Sequence, residues 1–137
     1  MADPLLLYPG YSLRRAASAM MGEFAQRLAP LSLRFADSSA MMMIAANPGI
    51  TASALGRMLD IQRANMVPLL NRLETAGLIE RKPLDGKSHS LALTAEGQDK
   101  LDKVTAVVSE FEAWLLARIP EEHRAHFKPA LDALWRD

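Results

Sequence analysis

Between Ile50 and Gly97 the chain reads ITASALGRMLDIQRANMVPLLNRLETAGLIERKPLDGKSHSLALTAEG, and the helix starts, stops and turns in this stretch restrict the fold more than any other part of it. Thr51 is placed to cap a short helix over Ala52 to Leu59, and Asp60-Ile61-Gln62 follows as a turn. A second helix is expected from Arg63 to Ala76, with Met66, Leu69, Leu70 and Leu73 facing inward and Gly77 just past its end. Leu78 to Lys82 and Ser88 to Leu93 have strand character around the loop Pro83-Leu84-Asp85-Gly86-Lys87, and Thr94 then caps a new helix. Helix, turn, helix, charged hairpin, helix is the order of a winged helix-turn-helix, whose second helix fits the major groove of DNA.

The flanks are helical. Leu13, Ala17, Met20, Phe24 and Leu28 recur at spacings of three and four, predicting an amphipathic helix over Tyr11 to Leu28 that Pro30 ends. Ser32 is placed to cap a second helix through Asn47, rich in Ala and Met and expected to be buried on most sides. After Thr94, Leu101, Val104, Val108, Phe111 and Leu115 form a seam suited to another helix, and Pro120 interrupts it. A last helix from Glu121 to near Trp135 carries Phe127, Leu131, Leu134 and Trp135, with Pro129 kinking or splitting it. The expected fold is mainly α with a small β-hairpin: one unit over 1–137, a winged helix-turn-helix over 32–97, and dimerisation helices over 10–30 and 98–137. Apolar helices at both ends suit a homodimer, which sets two reading helices about one DNA turn apart.

Composition narrows the function. The 16 basic and 16 acidic residues cancel, which argues against DNA binding by bulk charge. Their distribution is uneven: Thr51 to Ser90 holds six basic and four acidic residues, whereas Leu91 onward holds six and nine. The absence of Cys removes disulfides, thiolate nucleophiles and Cys-based zinc sites. The start MADPLLLYPG, acidic and broken by two prolines, reads as neither signal peptide nor membrane span, so the expected location is the cytoplasm. Ser, His and Asp are scattered without a nucleophile elbow or phosphate loop, so no enzyme and no cofactor are expected. His123 and His126, preceded by Glu122, have a metal-ligand spacing but lack further clustered ligands, and no metal is expected.

The first turn of the second helix, Gln62-Arg63-Ala64-Asn65, is the part that meets base edges. Arg63 suits guanine, Gln62 or Asn65 suits adenine, and Ala64 lets the helix sit close. A polar first turn also suits plain helix capping, with Arg63 a solvated charge. Arg72, further along, suits either a phosphate or a partner within the protein. Pro68 lies inside the helix and frees the carbonyl of Ala64. In the wing, Arg81, Lys82 and Lys87 suit phosphates or the minor groove, Thr51 joins the same DNA face, and His89 reads as a surface strand residue or a phosphate contact.

NPGITASAL, LDIQRANMVPLLNRLETAGLIERKP and the wing ending LALTAEG together resemble the MarR family of bacterial transcription regulators, across nearly the whole chain. That resemblance implies a homodimeric winged helix-turn-helix repressor, with Gln62 to Asn65 in the base-reading turn and Lys87 at a wing position where the family usually has Arg. Lys lacks the planar fork of Arg, so phosphate contact is expected to survive better than minor-groove shape reading. RANMVPL with SHSLALT is similar to a subgroup controlling aromatic-acid or hydroxycinnamate catabolism. The resemblance further implies an effector, an aromatic carboxylate or its acyl-CoA ester, between the dimer base and the winged unit. The residues it assigns there are Tyr11, Arg14, Arg15, Ser18, Met41 and Met42, with Met20, Met21, Ser39 and Met43 on the same helices. The competing reading is a winged-helix protein-interaction module without specific DNA binding.

Overall fold

The computed structural model describes residues 1–137. Six α-helices run in the order α1 Pro9–Leu28, α2 Phe35–Ala46, α3 Ala52–Met58, α4 Arg63–Thr75, α5 Ala95–Arg118 and α6 Arg124–Asp132. A two-stranded antiparallel hairpin, β1 Ile79–Pro83 and β2 His89–Leu93, lies between α4 and α5. A short 3-10 turn at Pro4–Leu7, capped by Asp3, precedes α1. No helix is long and apolar enough to cross a membrane.

Local chemistry sets most boundaries where the sequence places them. The Thr51 hydroxyl accepts the Ala54 N–H at 3.2 Å and starts α3. Thr94 starts α5 by accepting the Gly97 N–H at 2.9 Å. Gly77 takes a φ of +75°, the left-handed turn that ends α4. Pro68 lies on the exposed side of α4 without breaking it, and its missing N–H leaves the Ala64 carbonyl without a partner from that position.

Three expectations need correction. Ser32 does not cap α2: it adopts φ 57° at the end of a 3-10 turn over Ala29–Leu31. The helix begins three residues later, where the carboxylate of Asp37 accepts the Arg34 N–H at 2.8 Å. α2 is also less enclosed than its composition suggests, since Ala40, Met41 and Ile44 are buried but Phe35 and Met42 are exposed. The last helix is shorter than predicted: Glu121–His123 forms a 3-10 turn, α6 ends at Asp132, and Pro129 lies within it without splitting it. Leu134 and Trp135 fall beyond that end, 67% and 70% exposed.

The larger core joins α2, α3, α4, the hairpin and the first half of α5 around Met41, Leu55, Leu73, Leu91 and Val104. A smaller core ties α1 to the middle of α5 through Phe24, Leu28 and Phe111, with the Phe24 and Phe111 rings 5.0 Å apart. Val108 packs against both, so α5 is the spine that connects them. Outside both cores, Leu5, Leu6, Leu7, Tyr8 and Leu13 are exposed at one end of the chain, as are Leu116, Leu134 and Trp135 at the other.

One close approach fixes the winged unit on this spine: a Cβ on Gly97 would lie 2.0 Å from the Leu78 carbonyl oxygen. Gly97→Ala is therefore expected to lower stability by about 3 kcal/mol, at the upper end of overpacking costs. Gly22→Ala, on an exposed helical position with open space around it, should raise stability by about 0.5–1 kcal/mol. Urea melts of the two variants check both signs.

Candidate nucleic-acid interface

α3, the start of α4 and the wing enclose an open cleft of about 620 Å³. Thr51, Arg57, Gln62, Arg63, Arg81, Lys87 and His89 contribute polar side chains to its wall, with Asp60 as the acid. The turn that aims α4 is tight: Asp60 takes φ 53° and the Ile61 N–H donates to the Gly56 carbonyl at 2.8 Å. Gln62 is the N-cap of α4 by backbone position, yet its side chain makes no capping hydrogen bond. Arg63, Ala64 and Asn65 are exposed on the same turn. The side chains of Gln62, Arg63 and Asn65 are thus uncommitted within the chain, as groups meant for an external partner would be.

The wing is fixed by four devices. Its strands pair Ile79 with Leu93, Arg81 with Leu91 and Pro83 with His89. The Leu91 N–H donates to the Ile50 carbonyl at 2.8 Å, and Thr51 bridges to Ser90, so the hairpin is stitched to the start of α3. Arg81 reaches back to α4, with Nε 3.2 Å from the Glu74 carboxylate and its guanidinium donating to Asn71 Oδ1 at 2.9 Å. At the tip, Asp85 Oδ1 accepts the N–H groups of Lys87 at 3.1 Å and Ser88 at 2.9 Å. These two bonds, from Lys87 first and then Ser88, hold the Asp85 carboxyl below its ordinary value of 3.8.

Residues 31–88 match the sequence profile of the MarR family. The HTH-type transcriptional repressor Rv2887 of Mycobacterium tuberculosis is 30% identical over 130 residues, covering 93% of this chain and 94% of its own. This chain belongs to the MarR family. Among solved structures of similar proteins, the transcriptional repressor CouR bound to a 23-mer DNA duplex superposes with a TM-score of 0.91 at 30% identity, over 99% of each chain. CouR bound to p-coumaroyl-CoA superposes at 0.89 and 28% identity, over 100% of this chain and 98% of that one.

Within this MarR fold the expected site residues divide. Gln62, Arg63, Arg81, Lys87 and Thr51 meet at the cleft, with Ala64 and Asn65 beside it. Arg81 is half committed, since its charge is matched by Glu74. Two residues leave the group. Arg72 points to the other side of α4 and pairs with the buried Asp37 at 2.9 Å, an internal bond between elements 35 residues apart. Lys82 lies on the opposite face of the strand from Arg81 and sits 3.6 Å from Glu80, because successive strand residues alternate faces. His89, which the sequence reads as a surface strand residue or a phosphate contact, lines the cleft, and so does Arg57, which the sequence analysis did not single out.

The expected effector residues are divided between α1 and α2. Arg14, Arg15 and Ser18 are exposed on α1, and Arg15 donates to the Tyr11 hydroxyl at 2.9 Å. Met42 is exposed on α2, whereas Met41 is fully buried in the larger core and presents no surface to a ligand, contrary to the expectation for it.

Asp85 supplies a pH test of the wing. Because its folded pKa is depressed, its bonds favour the ordered tip above the unfolded value and are lost as pH falls through the folded one. In an NMR titration the Lys87 and Ser88 amide resonances should shift together with a midpoint below 3.8, and Asp85→Ala should abolish that step.

Proposed function

We propose that this chain is a sequence-specific DNA-binding transcriptional repressor that acts as a homodimer and is released by an aromatic acid or its acyl-CoA ester. The observation that carries the reading is the uncommitted first turn Gln62 to Asn65, facing outward beside Lys87 on a fold that superposes on a DNA-bound repressor at a TM-score of 0.91. Arg63 is the residue for a bidentate guanine contact, Gln62 and Asn65 for adenine, and Ala64 for close approach. Lys87 contacts phosphate, Thr51 joins the same face, and Arg81 holds the wing to α4 as much as it meets DNA. A protein that reads operator DNA in this way works in the cytoplasm, needs no cofactor and performs no catalysis.

The two halves of the chain divide the work. Residues 32–97 form the reading unit. Residues 10–30 and 98–137 form the dimer base, where the exposed Leu13, Leu134 and Trp135 gain cover from a second copy, as do the exposed Leu5, Leu6 and Leu7 that precede it. The effector class follows from the likeness to CouR, which binds p-coumaroyl-CoA. Arg14 and Arg15 on α1 are the cations for its anionic groups, with Tyr11 and Ser18 on the same helix and Met42 on α2 as the further members of the set.

A gel shift on the DNA flanking its own gene tests the DNA assignments. Arg63→Ala should weaken the specific complex by about 1–3 kcal/mol and relax sequence preference, whereas Lys82→Ala should leave both unchanged. The same protein should melt higher with an aromatic acyl-CoA than with free CoA, by about 2.7 kcal/mol of stability at a hundredfold excess over Kd. Equal affinity of the wild type for specific and random duplexes would favour the protein-interaction reading instead.

A further inference from the structure

The parity of the hairpin puts His89, and not Lys82, at the mouth of the reading cleft. Directly paired residues of an antiparallel hairpin share a face, so Ile79 with Leu93, Arg81 with Leu91, and Pro83 with His89 lie on one side. Glu80 with Ala92 and Lys82 with Ser90 lie on the other. Ile79 and Leu91, 2% and 1% exposed, mark the first side as the one packed on the helical body. His89 is the next residue on that side toward the tip, past the last buried layer. It is exposed, lines the cleft with Gln62, Arg63 and Lys87, and makes no hydrogen bond through its ring within the chain. It therefore occupies the position that the sequence suggested for Lys82.

The charges that face it come from every element around the cleft. The wing tip contributes Asp85 and Lys87, α3 and the turn after it contribute Arg57 and Asp60, α4 contributes Arg63, and β1 contributes Arg81 with its partner Glu74. With Arg81 matched by Glu74, three cations face two acids, a balance that one added positive charge changes substantially. Imidazole is the side chain whose unperturbed charge changes between about pH 5 and 8.

We infer that His89 is a DNA-contacting residue of the wing, donating a charged hydrogen bond from its protonated ring to a backbone phosphate, so that operator binding takes up a proton. The inference rests on the reading of this cleft as the DNA interface. Its sign follows from linkage: a phosphate beside the ring favours the protonated form, so the complex holds more protons than the free protein. Affinity then falls as pH rises, by at most about tenfold per pH unit for each proton taken up.

Fluorescence anisotropy on a specific duplex and on a scrambled one, at fixed ionic strength and about pH 6 and 8, tests this with the wild type, His89→Gln and His89→Lys. The wild type should lose about three- to tenfold in specific affinity between the two pH values. His89→Gln should bind weakly and His89→Lys tightly, each with little change over the same range. At about pH 6 the salt slope of His89→Gln should be shallower by about one per histidine lost. A specific wild-type complex whose pH dependence survives in His89→Gln overturns the assignment of His89 alone. No preference of the wild type for the specific duplex at either pH overturns the cleft reading as well. Circular dichroism melts show whether each variant is folded, which an exposed side chain at the wing tip leaves unaffected.

Discussion

Thr94 stands where the recognition helix, both strands of the wing and the long helix α5 come within a few ångströms of one another. Its N–H donates to the Leu78 carbonyl at 3.1 Å, its hydroxyl donates to the Gly77 carbonyl at 2.6 Å, and the same oxygen accepts the Gly97 N–H at 2.9 Å. Gly77 supplies the left-handed turn out of α4, and the missing side chain of Gly97 lets α5 press against the Leu78 backbone. These contacts fix the end of α4 to the start of α5, the helix that joins the two cores. Under the proposed function, this junction is where a shift of α5 favoured by an effector would be passed to α4.

The wing follows from the same constraint. Once Leu78 and Thr94 are joined, the strand register is set, and Ile50, Thr51 and Arg81 attach the hairpin to α3 and α4. Arg81 illustrates a division of labour within one basic residue type. Paired with Glu74 and bonded to Asn71, it places the wing beside the first turn of α4, while Arg63 and Lys87 remain open to a partner. A chain with no net charge can meet a polyanion in this way, because acids neutralise the structural cations and leave the reading ones exposed.

Much of the fold was legible because helical periodicity and cap chemistry agree. Leu69, Leu70 and Leu73 with Gly77, and Leu101, Val104 and Phe111 with Thr94, place α4 and α5 within a residue or two of where they occur. The failures each have a local cause. Ser32 has the chemistry of a helix cap, but the turn over Ala29–Leu31 puts it in the left-handed region, and Asp37 caps α2 from within by accepting the Arg34 N–H. Arg72 was ambiguous because its partner Asp37 is distant in sequence and adjacent only after folding. Met41 and Met42 are neighbours of identical chemistry, and only packing sends one into the core and the other to the surface. Lys82 and His89 are a question of parity: the spacing of charges in a hairpin is visible in sequence, but the face each one takes depends on which residue opens the strand.

The central claim is that this cleft reads sequence. It is tested most directly by titrating the wild-type protein against a duplex from the region flanking its own gene and against a scrambled duplex of equal length, over a range of salt. The account predicts a steep loss of affinity with salt on both duplexes and a preference for the specific one of at least about a thousandfold near physiological salt. Equal affinities on the two duplexes at every salt concentration would contradict it.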